Sequence, residues 1–184
     1  MHHALSGDIY DIALGHNAWA IGRVLEMSRP LTTDQFHQRF PIGPGSLHDT
    51  CTHMIGAMLR WADRISGRDL RPSIEKNPAP NPGEIMARRT IDELLALRDQ
   101  ARDDFASVVA EVRAKNRLGD LMEITLPSDT GTETYRFTYA AAILHLTNHG
   151  MHHRAQCLNM FRHLGMTDLP DLDELEWQVA GQPE

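Results

Sequence analysis

Four stretches of this 184-residue chain repeat apolar residues at steps of three and four, with prolines and glycines gathered between them. That is the period of an α-helix buried along one face, and several such faces in one chain must pack on one another. The first stretch covers 5–28, with Leu5, Ile9, Ile12, His16, Trp19, Val24 and Met27 on its stripe and Ser6 or Asp8 as its cap. Pro30 ends it, Thr32-Thr33-Asp34 begins a short turn or minor helix, and Pro41-Ile42-Gly43-Pro44-Gly45 breaks the chain. Ser46, with Asp49 three residues on, caps a second helix that runs to about Ser66. Its stripe is Leu47, Thr50, His53, Met54, Ala57, Met58 and Trp61, and Gly67 closes it.

Residues 68–82 carry Pro72, Pro78, Pro80 and Pro82 and form a loop longer than most helix connections, a length often used for functional lids. A third helix is expected from 82 or 83 to 116, burying Ile85, Ile91, Leu94, Leu95, Leu97, Phe105, Val108 and Val112. Residues 118–137 change character. Leu121-Met122-Glu123-Ile124-Thr125-Leu126, a Pro127-Ser128-Asp129-Thr130-Gly131 turn and Thr132-Glu133-Thr134-Tyr135-Arg136-Phe137 predict a small β-hairpin. The fourth long helix spans 138–165. An acidic tail follows from about 166, with Leu169, Leu172, Leu175 and Trp177 available to pack it back. The expected fold is all-α, a four-helix bundle with one hairpin, as a single domain over 1–184.

Composition narrows the function classes. A net charge of −7, with 18 scattered Lys and Arg, argues against a basic nucleic-acid surface, and 6% aromatics argues against a base-stacking platform. No apolar run reaches the ~20 residues of a membrane span. Residues 1–10 lack the basic and apolar segments of a secretory leader. Two cysteines are too few for a disulfide framework and suit a reducing compartment, so a cytoplasmic protein is expected.

The chemistry concentrates in the fourth helix. His149 and His153 are four residues apart, one turn above each other on one helical face, a spacing that lets two imidazoles reach one metal ion. A bundle builds such sites from facing helices, so a third ligand should come from a core-facing position elsewhere. His53 lies in the second helix's apolar stripe, and His48, five residues earlier, points well away from it. His145 is an alternate, because 145, 149 and 153 form a ladder, although each rung turns by about 40° and three cannot aim equally at one ion. Cys157, one turn beyond His153, is a second alternate. Asn148, Gln156 and Arg154 are candidates for orienting the imidazoles. His-Glu-x-x-His and Glu-x-x-His pairs, a phosphate loop and a Gly-x-Ser-x-Gly elbow are all missing, which excludes zincin, ferritin-like di-iron and nucleophile-elbow chemistries.

The run Gly45-Ser46-Leu47-His48-Asp49-Thr50-Cys51-Thr52-His53-Met54-Ile55, with Trp61 after it, resembles the second-helix signature of the DinB/YfiT-like metalloenzymes. Asn148-His149-Gly150-Met151-His152-His153-Arg154-Ala155-Gln156 is similar to that family's fourth-helix pattern, Asn-His-x-x-x-His-Arg-x-Gln. Asn17-Ala18-Trp19-Ala20 is similar to the Asn-x-Trp-Ala of its first helix. Ala155 stands where the family often has Gly. The resemblance covers nearly the whole chain in order. It implies an up-down-down-up four-helix bundle, commonly a homodimer, with a metal held by His53, His149 and His153.

Three neutral imidazoles would leave an ion with an open coordination position, as catalytic zinc sites do. All-imidazole ligation suits zinc or nickel first, and also iron or copper. Known members of the resembling family include thiol-dependent S-transferases and a thiol-dependent isomerase. The resemblance therefore implies a metal-dependent transferase or detoxification enzyme taking a small-molecule substrate and a low-molecular-weight thiol. The competing expectations are a non-catalytic metal-binding stress-response protein and a metal-dependent hydrolase acting through bound water.

Overall fold

The computed structural model describes residues 7–75, 88–128 and 131–181. Among them lie, in order, α1 (Ile9–Met27), α2 (Thr33–Phe36), α3 (Leu47–Ser66), α4 (Ile91–Ala114), β1 (Leu121–Ser128), β2 (Gly131–Thr138), α5 (Tyr139–His163) and α6 (Glu174–Ala180). The long helices begin where short polar side chains accept otherwise unpaired amides. Asp8 caps α1, Ser46 caps α3 through the Asp49 amide, Thr90 caps α4 and Thr138 caps α5. Asp49 does not complete a capping box; its carboxylate turns instead to Arg39 and His48. Gly67 ends α3 in the left-handed conformation, φ 75°.

The elements differ from the expected ones in detail. α4 starts at Ile91, with 88–90 outside it, because Thr90 and Glu93 form a reciprocal capping box that fixes the first turn there. The expected earlier start, with Ile85, lies outside the described residues, as do Leu5, Ser6, the 76–82 part of the loop and the hairpin tip at Asp129-Thr130. The tail contains a short helix, α6, capped by Asp173. Leu172 and Trp177 are buried as expected, but Leu175 is 76% exposed, since only one face of so short a helix meets the bundle. Ile9, placed on the first stripe, is likewise 73% exposed.

Specific contacts fix the direction of each long helix. Arg113 near the end of α4 pairs with Asp8 at the start of α1, while Arg29 just past α1 reaches Asp92 in the first turn of α4 at 2.8 Å. These two helices are antiparallel. His48 in the first turn of α3 accepts the Arg89 amide immediately before α4 at 3.0 Å, so α3 and α4 are parallel. Trp61 late in α3 meets His145 early in α5, and His53 meets His149 and His153, so α3 and α5 are antiparallel. The order is up-down-down-up. α1 and α3 each pack on both α4 and α5.

The core is a continuous apolar cluster fed by all four helices, with Ile21, Leu25, Met54, Ile55, Leu94, Phe105, Leu146, Met160 and Phe161 essentially excluded from solvent. Each such side chain contributes ~1.5–3 kcal/mol through burial. The β1–β2 hairpin pairs antiparallel from Leu121↔Thr138 to Ser128↔Gly131 and leads directly into α5. It therefore lies beside the early turns of α5, at the end of α3 that carries Trp61. No described helix is long and apolar enough to cross a membrane.

Candidate metal centre

α3 and α5 face each other with His53 on one and His149 and His153 on the other. One ring nitrogen from each of the three lies within 4.8 Å of the others. His53 Nε2 is 3.0 Å from His149 Nε2, and His149 Nε2 is 3.1 Å from His153 Nε2. Three nitrogens held tetrahedrally by a zinc ion would stand ~3.3 Å apart, so His149 is already near ligand spacing from both of its neighbours.

The opposite ring atoms fix the tautomers. His53 Nδ1 donates to Glu75 Oε1 at 2.8 Å, and His153 Nδ1 donates to Gln156 Oε1 at 2.7 Å. With those protons on Nδ1, the Nε2 atoms of His53 and His153 present lone pairs to the centre of the cluster. His149 cannot satisfy both. If its proton is on Nε2 it serves one neighbour only, and if on Nδ1, three lone pairs converge. His149 Nδ1 is itself buried and meets no hydrogen-bond partner among the described residues. A cation at the centre relieves the convergence, and the donor set fits a divalent transition metal.

The electrostatics prepare the same outcome. Burial, then the neighbouring His153 and His53, pushes His149 down to about 4, so it is neutral and able to donate a lone pair at neutral pH. Burial also lowers His153, against the opposing effect of its Gln156 hydrogen bond. The hydrogen bond from His53 holds the Glu75 carboxyl below its usual range, which keeps an anion behind that imidazole.

Glu75 is the partner that sequence reasoning missed. It lies in the proline-containing connection, 22 residues from His53, and no periodicity links them. Its placement depends on Asp63, 1% exposed, which accepts from Arg68 Nε at 2.6 Å, from the Arg71 guanidinium and from the Arg71 amide at 3.0 Å. Burial works to raise the Asp63 carboxyl, but these donors hold it at about 2. The node ties the chain after α3 back onto the helix, so that residues 73–75 pass over the His53 face.

Of the other expected site residues, Gln156 touches the cluster through His153 and also meets His152 at 2.9 Å. Arg154 turns the other way, buried, donating to Asn17 Oδ1 on α1 at 2.8 Å. Asn148 is exposed and makes no hydrogen bond to the three rings. His145 stands aside, its ring 5.8 Å from His149 and 5.3 Å from Trp61. Cys157 is fully buried and faces Cys51 in the core, a contact that, with burial, pushes the Cys51 thiol up. Neither cysteine joins the cluster. His48 and His16 are structural, the first bridging Asp49 and the Arg89 amide, the second holding Leu172 O at 2.8 Å.

The cluster opens onto a cleft of about 310 Å³ walled by His53, His149, Glu75, Arg60, Trp61 and Arg64. Two of the three rings, His53 and His149, line this cleft, while His153 is buried behind them.

Comparison with known proteins agrees with this architecture. The profile of the DinB family matches residues 7–183. Protein DinB of Bacillus subtilis (strain 168) is 24% identical over 157 residues, which cover 84% of this chain and 86% of that protein.

Proposed function

The chain belongs to the DinB family, and from that membership and its three-imidazole cluster we propose a divalent-metal enzyme that transfers a low-molecular-weight thiol to a small electrophile. The single observation that carries the reading is the convergence of the Nε2 atoms of His53, His149 and His153, two of whose rings, His53 and His149, line a cleft. His53, His149 and His153 would hold the ion, zinc or nickel before iron or copper. A bound divalent ion supplies Lewis acidity that brings thiol ionisation down to neutral pH.

The chain's own residues supply the rest. Glu75 and Gln156 keep the Nδ1 protons of His53 and His153 in place, so the Nε2 lone pairs stay aimed. Burial keeps His149 unprotonated. The cleft beside Trp61 brings thiol and electrophile together, which converts a bimolecular encounter into a positioned one. In the transfer, the thiol proton passes to solvent and sulfur forms the new S–C bond as the carbon–halogen or epoxide C–O bond breaks; the electron pair leaves with the halide or stays on the epoxide oxygen, which takes a proton from solvent.

The same reading includes one cytoplasmic domain acting as a homodimer. Leu144 and Met151, each 59% exposed and two turns apart on α5, support a self-association face. Turnover is tested with glutathione, bacillithiol and mycothiol, each paired with alkyl halide and epoxide electrophiles, on metal-loaded protein. Saturable, metal-dependent consumption of one thiol is expected. No turnover with any of the three would count against the transferase.

A further inference from the structure

Arg60 and Arg64 lie one turn apart on α3 and share the wall of the cleft with His53, His149 and Glu75. Like charges at this spacing repel along a helix, so the pair adds nothing to the stability of α3 as a pair. Among the described residues, neither has a carboxylate partner at salt-bridge distance. Most of the other arginines are paired, as Arg68 and Arg71 are with Asp63 and Asp104. Arg64 instead lies over the Trp61 ring, 5.3 Å from its centroid, and is half-buried. On a chain of net charge −7, two arginines against one glutamate make this cleft locally positive.

Trp61 has a second face. It also walls an apolar groove of about 370 Å³ beneath the hairpin, formed with Ile124, Leu126, Tyr135, Phe137 and Ala141. Tyr135 is 45% exposed there, on the same hairpin face as its partner Ile124 and as Phe137, so its ring stands at the groove's open edge. Cationic cleft and apolar groove meet at one indole, with Arg64 above it.

We propose that the Arg60–Arg64 pair is an anion-binding subsite and that the substrate is an amphiphilic anion. Its acidic group lies on these two guanidiniums, and its apolar body runs past Trp61 into the groove under the hairpin. This rests on the metal-enzyme reading above and adds to it the class of molecule the cleft selects. Guanidinium forks match carboxylate geometry, and an aromatic wall beside them excludes water from the pair.

Octanoate is the probe, titrated calorimetrically into full-length protein both loaded with zinc and stripped with EDTA, so that binding to a metal is separated from binding to arginine. Octanoate is expected to bind in both forms, and octan-1-ol, octyltrimethylammonium and acetate to bind at least about tenfold more weakly, since each lacks half of the match. R60Q/R64Q should weaken octanoate at least about tenfold, and R60K/R64K should recover most of that loss. Octanoate affinity unchanged in R60Q/R64Q overturns the subsite, and acetate binding as tightly as octanoate overturns the groove. Zinc content measured on the same samples reports separately on the histidine cluster. Zinc is expected to be retained in both arginine variants, and its absence from the parent would defeat the metal reading while leaving the octanoate result to stand.

Discussion

Glu75→Ala removes the carboxylate that, among the described residues, braces a candidate metal ligand, and its effect can be sized from the contact. The Glu75–His53 hydrogen bond is 2.8 Å long, between side chains 31% and 32% exposed. A charge-assisted bond of this kind contributes ~1.5–3 kcal/mol, and solvent on one side places this one at the low end. At ~1.5 kcal/mol, zinc affinity falls about tenfold, the lower limit for loss of a partner behind a metal-bound imidazole. Glu75→Gln keeps an acceptor but loses the charge, and about a threefold loss is expected. Both are measured by competition with a chromogenic chelator on EDTA-stripped protein, with thermal unfolding of the metal-free variants as the control for folding. Zinc affinity within about twofold of the parent in Glu75→Ala would refute the bracing role and the tautomer assignment that depends on it.

Three further outcomes follow from the same contacts. His149 is lowered from 6.5 to about 4, so between those values the unfolded chain binds a proton that the folded chain does not. The stability that His149 contributes to metal-free protein should be lost as pH falls from 6.5 towards 4, so the slope over that range should be shallower in His149→Gln, read from urea midpoints at several pH values. Asp63→Ala should cost about 2 kcal/mol in urea unfolding, less than a fully buried pair because Arg68 and Arg71 are 42% and 31% exposed; a loss under ~0.5 kcal/mol contradicts the node. Gly43 has φ 49°, and a Cβ there would collide with the Gln156 amide that orients His153. Gly43→Ala should therefore destabilise the fold by ~1 kcal/mol and weaken zinc about tenfold, whereas parental zinc affinity would show that Gln156 is dispensable.

The bundle was legible because each long helix shows its buried face in local spacing. His149 and His153 were legible for the same reason, since four residues on a helix are one turn in space. His53 was legible as the imidazole within an otherwise apolar stripe, and the family resemblance singled out the same residue. The start of α4 at Ile91 carries a local signal, since Thr90-Ile91-Asp92-Glu93 is a capping box. Glu75 left no local trace. Its contact with His53 depends on how Asp63 gathers Arg68 and Arg71, a tertiary event with no period to read. Arg154 shows the converse. It belongs to the fourth-helix motif, yet its position on the helix directs it to Asn17 and away from the cluster.

Metal content tests the central claim most directly. Protein purified without a metal-affinity resin, and its His53→Ala and His149→Ala variants, are analysed for zinc, nickel, iron and copper by mass spectrometry. The account predicts about one divalent ion per chain in the parent and less than ~0.2 in either variant, since losing one of three ligands opens the site. Less than ~0.2 ion per chain in the parent, or undiminished metal in His53→Ala, would contradict it.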